Sequence, residues 1–230
     1  MEIVKRRLCI YHLIKMPSNK HGNLNKAIIE PSPEMSQITG MVYGDGNLYH
    51  WKRDYRIGYY STDKELVDTF EKRIKGVLPD NKISRWKTKP DEVIINNKRY
   101  SSLKTMYHAA TRSKILFNHL SNKTKALDMA LEKPEFFIRG FADAEGSFFI
   151  KEGHYTMAID VVNKNEQVID ALIEAYKRIG IKSKSTWRKQ QQYYRVAIRK
   201  KKFLKIYGDE VGSDCIRKKH ALDKIMGRCS

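Results

Sequence analysis

Asp45 and Glu145 are 100 positions apart and share one setting, Ile38-Thr-Gly-Met-Val-Tyr-Gly-Asp-Gly46 and Ile138-Arg-Gly-Phe-Ala-Asp-Ala-Glu-Gly146. In each stretch the acid follows a helix-forming run and precedes a glycine. A carboxylate is unfavourable there, because a helix C-terminus already carries partial negative charge. Gly40 and Gly44, like Gly140 and Ala144, are four residues apart and so share a helix face. Small residues at that spacing let two helix backbones approach closely. Packed side by side, the helices bring two acids and two negative dipole ends together. A divalent cation resolves the conflict, and hard cations prefer oxygen ligands. Two metals bridging acids and a phosphate are a standard arrangement for hydrolysing a phosphodiester by in-line attack. One Asp-Gly alone would be ordinary turn chemistry. Two matched copies behind small-residue helices favour the metal reading.

The rest of the composition agrees with a phosphate partner. The chain has 230 residues, enough for one large domain or two small ones. Its formal charge is +19, from 45 Lys and Arg against 26 Asp and Glu. That excess points to a polyanion, most simply nucleic acid, with an anionic membrane surface as the other physical option. No apolar run is long enough to span a membrane. Leu8 to Ile14 contains His12 and is followed by Lys15 without a cleavage-site pattern, so it does not read as a signal peptide. Cys9, Cys215 and Cys229 are an odd, scattered set, which suits a reduced intracellular protein without disulfides or a zinc site.

The acids need elements to position them. Residues 1–30 read as a basic N-terminal extension. Ser32-Pro33-Glu34 is a helix start, and the helix runs to Gly44. Each motif helix stops at a glycine, the usual C-terminal signal. Strands are expected at 47–54 and 55–61, a helix at 63–75 and a second hairpin at 82–89 and 92–98. Residues 101–120 have helical spacing, and 121–133 form a polar, in part helical linker. Residues 134–230 repeat the order: a helix to Gly146, strands at 147–151 and 155–162, and a helix at 166–178. A hairpin at 182–189 and 193–200 follows, then helices from Lys201 and Asp214. Trp86 and Trp187 fall at corresponding places. The spacing predicts an α+β fold of duplicated αββαββα halves, 31–120 and 134–230, about a pseudo-twofold. Two antiparallel sheets would form a saddle over an imperfectly palindromic duplex.

Basic and aromatic residues are interleaved along these strands. The candidate DNA contacts are Asn47, Tyr49, Trp51, Arg53, Arg56, Tyr60, Arg85, Lys87 and Lys89 in the first half. In the second they are Lys151, Lys184, Arg188, Arg195 and Arg199. Solvated strand faces are the plainer explanation, and the total charge weighs against it. His50 and His154 do not occupy matching positions and read as DNA contacts or packing.

With both nonapeptides in register, each followed by the strand–strand–helix pattern, residues 33 to 226 resemble a single-chain LAGLIDADG homing endonuclease. The resemblance implies that the motif helices pack at the centre of the molecule. It also implies Mg²⁺-dependent double-strand cleavage of a long DNA site, leaving short 3′ overhangs. Mn²⁺ would substitute, and Ca²⁺ would support binding without cleavage. Asp45 and Glu145 match the metal-binding acids, helped by the backbone carbonyls of Gly44 and Ala144. Beyond the second strand the family places polar and basic residues near the attacking water. Val162-Asn-Lys-Asn165 fits, giving Lys164 charge stabilisation or water activation, with Asn163 beside it. The first half departs, with Ser61 and Thr62 where Gln or Lys is common. Either Lys64 substitutes or this half-site is weaker. A monomer with no obligate protein partner, encoded in an intron, is expected. The alternative is an RNA-splicing maturase or a catalytically inactive DNA-binding protein on the same fold.

Overall fold

The computed structural model describes residues 29–90, 92–95, 98–101, 104–151 and 156–229. The extension before residue 29 and His154 lie outside the described residues, as do the side chains of residues 91–103 and 151–156. Helix α1, Pro33–Gly44, starts at an extended Ser32 whose Oγ accepts from Met35 N at 3.1 Å. Helix α5, Pro134–Glu145, is its counterpart. The two pack along their lengths through the small residues. A Cβ on Gly40 would lie 2.7 Å from Phe141 N, and one on Gly140 would lie 3.1 Å from Met41 N. Only a residue without a Cβ admits backbone at that range.

Gly46 and Gly146 end the helices for a different reason than expected. Neither takes the left-handed conformation; among described glycines only Gly180 and Gly212 have positive φ. A Cβ on Gly46 would instead lie 2.5 Å from Val42 Cα, and one on Gly146 would lie 3.1 Å from the Ala142 carbonyl carbon. The glycines let the departing strand fold straight back over the last helical turn.

From those points run β1 (Gly46–Trp51) with β2 (Asp54–Ser61), and β7 (Gly146–Lys151) with β8 (Thr156–Asn163). Helices α2 (Lys64–Val77) and α6 (Glu166–Arg178) follow. The first sheet has the order β1-β2-β6-β3, with β3 at Ile83–Thr88 and β6 at Met106–Arg112. The second has the order β7-β8-β10-β9, with β9 at Ser185–Arg188 and β10 at Tyr193–Ile198. Each half buries one sheet face on its own helices. The first core holds Ile57, Tyr59, Phe70 and Ala109, and the second holds Ile159, Val161, Leu172 and Val196.

Two readings are corrected here. The partner of β3 is not the segment at 92–98. That segment pairs with the next one, β4 (Glu92–Ile95) with β5 (Lys98–Ser101), as a separate two-stranded sheet. The strand that completes the sheet is β6, in the region read as helix. Its residues 108–111 are buried consecutively: Ala109 and Thr111 face the helices, while on the outer face His108 is covered by the stacked Trp86 ring, so no alternation shows. Helix α3 is the shorter Lys114–Ser121. Within 121–133 lies helix α4, Lys123–Ala130, which buries Ala126, Leu127 and Ala130. The chain ends in α7 (Lys201–Ile206), a π-helical turn (Tyr207–Val211) and α8 (Ile216–Gly227).

His119 on α3 is buried, and its Nε2 has no hydrogen-bond partner among the described residues. Burial, with Lys125 nearby, lowers its pKa below 6.5. The unfolded chain therefore binds this proton first as pH falls, and stability is lost as pH drops through 6.5. A Tm profile from pH 8 to 5 should fall toward acid, and His119→Leu should flatten part of that fall. Among the described residues no helix is long and apolar enough to cross a membrane.

Candidate active site

Where α1 and α5 end, Gly44 abuts Ala144 and their acids emerge together. A Cβ on Gly44 would lie 3.3 Å from Glu145 Cγ. Asp45 caps α1 with its N–H on Met41 O at 3.1 Å, and both acids are half-buried. The two helix C-termini that carry Asp45 and Glu145 thus meet. On the first-half side a cleft opens, lined by Asp45, Tyr60, Ser61, Thr62, Asp63, Met106, Asp143, Ala144, Arg217 and Lys218.

The residues after β2 and β8 superimpose by register, since Gly46 pairs with Tyr59 and Gly146 with Val161. Ser61 therefore matches Asn163, and Thr62 matches Lys164. Both turns are pinned alike: Ser61 Oγ accepts from Asp63 N at 3.1 Å, and Asn163 Oδ1 accepts from Asn165 N at 2.8 Å. Asn163 also donates from Nδ2 to Glu145 Oε1 and to Tyr43 O, each at 3.4 Å. It ties the second acid to the first motif helix. Lys164 is exposed beside it. Lys64 goes elsewhere. It is exposed on the first turn of α2, paired with Asp68 at 3.3 Å, and does not line the cleft.

The cations of the first-half cleft come from the C-terminal segment, which sequence reasoning missed. Cys215 is buried in the first-half core although it lies in the second half of the sequence. Arg217 pairs with Asp63 at 3.1 Å, and Ile216 N donates to Glu65 Oε1 at 3.0 Å. Asp143 accepts from Ser213 Oγ and, at 2.8 Å, from Asp214 N. Burial lifts its carboxyl to about 6 despite these bonds. Lys218 is 3% exposed and donates to Ala142 O at 2.9 Å and Asp143 O at 2.5 Å. A sequence signal exists only in hindsight: four cations and a histidine in α8 look like a solvated helix face.

Strand register sorts the candidate DNA contacts. Tyr60, His108 and Trp86 lie side by side across β2, β6 and β3 on the face away from the helices. Asn47, Tyr49, Trp51 and Arg56 share that face. Arg56 pairs with Asp54 and lies 5.7 Å over the Tyr49 ring. Arg53 is exposed in the β1–β2 turn, and Lys89 is exposed just beyond β3. Arg85 and Lys87 fall on the opposite face. Arg85 is bound to Asp68 and, at 3.0 Å, to Glu71 on α2, so neither residue joins the groove set. In the second half Arg188 and Arg195 lie on the outer face, with Arg195 and Arg199 both paired to Asp160. Lys184 is exposed ahead of β9, Lys151 ends β7, and the Lys151 side chain lies outside the described residues. Trp187 is not the counterpart of Trp86. It pairs with Tyr194, which packs on the second core, and a one-residue offset has turned it to the helix side. His50 stacks on Tyr55 at 4.4 Å and approaches Phe117, the packing role.

The donor set at the helix ends is carboxylate and carbonyl oxygen, which fits a hard divalent cation completed by phosphate and water. The one cluster of three acid or thiol ligands among the described residues, Asp63, Glu65 and Cys215, touches the same cleft only through Asp63. Its groups are already engaged by Arg217 and the Ile216 N–H.

The family model described as a LAGLIDADG-like domain matches residues 132–212. The uncharacterized protein MJ0398 of Methanocaldococcus jannaschii is 28% identical over 91% of this chain and 78% of its own length. The fold matches that of I-DmoI in complex with DNA and Ca, with TM-score 0.58 and 16% identity, over 85% of this chain and 100% of that one. It also matches full-length DUF199/WhiA from Thermatoga maritima, with TM-score 0.55 and 14% identity, over 90% of this chain and 64% of that one.

Proposed function

From a chain that carries a LAGLIDADG-like domain and has the LAGLIDADG fold, we propose a homing endonuclease. It hydrolyses one phosphodiester in each strand of a long, imperfectly palindromic DNA duplex. The observation that carries this reading is the pairing of Asp45 and Glu145 at the abutting ends of α1 and α5. The overall reaction adds water to a phosphodiester and yields an alcohol and a phosphate monoester. A bound Mg²⁺ would polarise the phosphate and the attacking water. Asp45 and Glu145, with the Gly44 and Ala144 carbonyls, would hold it. Asn163 fixes the Glu145 carboxylate through the hydrogen bond described above, and Lys164 faces the charge that builds on phosphate. Ser61 holds the turn that closes the first-half cleft.

The outer faces of both sheets serve as the seat for the duplex. Their arginines rest against Asp54 and Asp160 in the protein alone, and phosphate or base edges replace these partners on binding. The resemblance supports an intron-encoded, intracellular monomer that needs no protein partner. A second reading has one observation behind it. The same fold is matched by full-length DUF199/WhiA as well as by I-DmoI in complex with DNA, so the architecture by itself does not choose between cutting and binding.

The test is selection from a randomised duplex library in Ca²⁺, followed by Mg²⁺ or EDTA. The proposal expects one long consensus, retained in Ca²⁺ and cut in both strands only with Mg²⁺. Retention without cutting under any metal supports the binding-protein reading. Binding should weaken steeply with salt. With roughly 8 phosphates neutralised, log K should fall against log salt with a slope of about −7. A slope near about −2 would contradict an extended DNA face.

A further inference from the structure

We propose that Lys218, delivered by the C-terminal helix α8, is the cation of the first-half cleavage site. This rests on the endonuclease reading and names a residue that its motifs do not supply. The first half offers Ser61 and Thr62 where the second offers Asn163 and Lys164, and its own Lys64 is held on the surface by Asp68. Into that gap comes a chain segment from the far end of the sequence. Cys215 anchors it in the first-half core, Arg217 and the Ile216 N–H clasp Asp63 and Glu65, and Asp143 holds its leading turn. The outcome is a buried ammonium lining the same cleft as Asp45.

Its two protein partners are backbone carbonyls, Ala142 O and Asp143 O, at the C-terminal end of α5. An ammonium has three donors, and two are used here. Burying a cation this deeply is costly unless negative groups face it. The carboxylates of Asp143 and Asp45, together with the α5 dipole, supply them. The same charge is placed to offset the negative charge that develops on the scissile phosphate during attack. The third donor is left for an oxygen that enters the cleft.

Capping the end of α5 would explain the carbonyl bonds alone, so the test must separate charge from capping. Lys218→Gln keeps an N–H donor for the carbonyls and removes the charge. A duplex carrying the selected site, labelled separately on each strand, is cut in Mg²⁺ by wild type and variant. Binding in Ca²⁺ and Tm are measured alongside. The proposal expects roughly 10²-fold slower cutting of one strand, with the other strand, DNA affinity and Tm unchanged. Aminoethylation of Lys218→Cys, which rebuilds the ammonium, should restore the lost strand, with wild type treated in parallel to control for Cys9, Cys215 and Cys229. Both strands cut at wild-type rates by Lys218→Gln, or both slowed together with a lowered Tm, would overturn it. So would a lost strand that aminoethylation fails to restore. If wild type itself cuts neither strand, the endonuclease reading has failed instead.

Discussion

Replacing Asp45 by Asn is expected to stop metal-dependent cutting of the duplex and to leave the protein bound to it. The amide keeps the shape of the side chain at the C-terminal end of α1 and removes the negative charge a divalent cation needs. A loss of roughly 10³-fold, or about 4 kcal/mol of transition-state stabilisation, is the expected scale. Glu145→Gln should behave alike, because its amide can still accept from Asn163 at the position Glu145 uses now. Affinity in EDTA should rise rather than fall in both variants. An unneutralised carboxylate facing a phosphate is repulsive, and the substitution removes that repulsion. The measurements are cutting rates in Mg²⁺ and equilibrium binding in Ca²⁺ and in EDTA. A variant that binds less well and cuts in proportion would place the acid among the DNA contacts and not in the chemistry.

The second large effect is on stability. Gly40→Ala adds one methyl group at a point where α5 backbone stands within 2.7 Å, at Phe141 N and, closer still, at Phe137 O. Neither neighbour is a flexible side chain. The helices must separate, and the packing of Met41, Phe137 and Phe141 opens with them. Overpacking of this kind costs about 1–3 kcal/mol in ordinary cores, and a rigid backbone contact belongs at the upper end. That is a large part of the typical 5–15 kcal/mol of a folded domain. Gly140→Ala should match it, since its methyl would meet Gln37 O and Met41 N. Gly227→Ala is the control: nothing lies within 4 Å of the added group. Urea unfolding of the three variants gives the comparison. Equal stability for Gly40→Ala and Gly227→Ala would mean that α1 and α5 are not packed backbone to backbone. Because both acids stand at the ends of these helices, the destabilised variants should also lose cutting of both strands together.

How far the sequence could be read follows from where its signals were local. The motif helices were legible because one stretch carries cap, small-residue spacing, acid and glycine together. The role of Gly46 and Gly146 was not, since close passage over Val42 or Ala142 and a left-handed cap ask for the same residue. Strand β6 was misread because Ala109 and Ala110 are both buried, one toward α2 and one under the outer face, and alternation vanished with them. Arg85 looked like a groove contact until register set it toward α2, and Trp187 differs from Trp86 by a single-residue slip. In the candidate site, the match of Asn163 and Lys164 to the residues after β2 depended on short-range spacing and could be read. Lys218 could not. Its role depends on α8 crossing from the second half to the first, and that crossing is fixed by Asp143, Cys215 and Arg217, scattered over the chain.

The most direct test of the central claim, that Asp45 and Glu145 together hold divalent cations against a scissile phosphate, is a crystal structure of the protein on its selected duplex with Mn²⁺, read by anomalous scattering. The account predicts anomalous peaks between these two carboxylates and the DNA backbone. Peaks confined to another group, such as Asp63, Glu65 and Cys215, with none at the ends of α1 and α5, would contradict it.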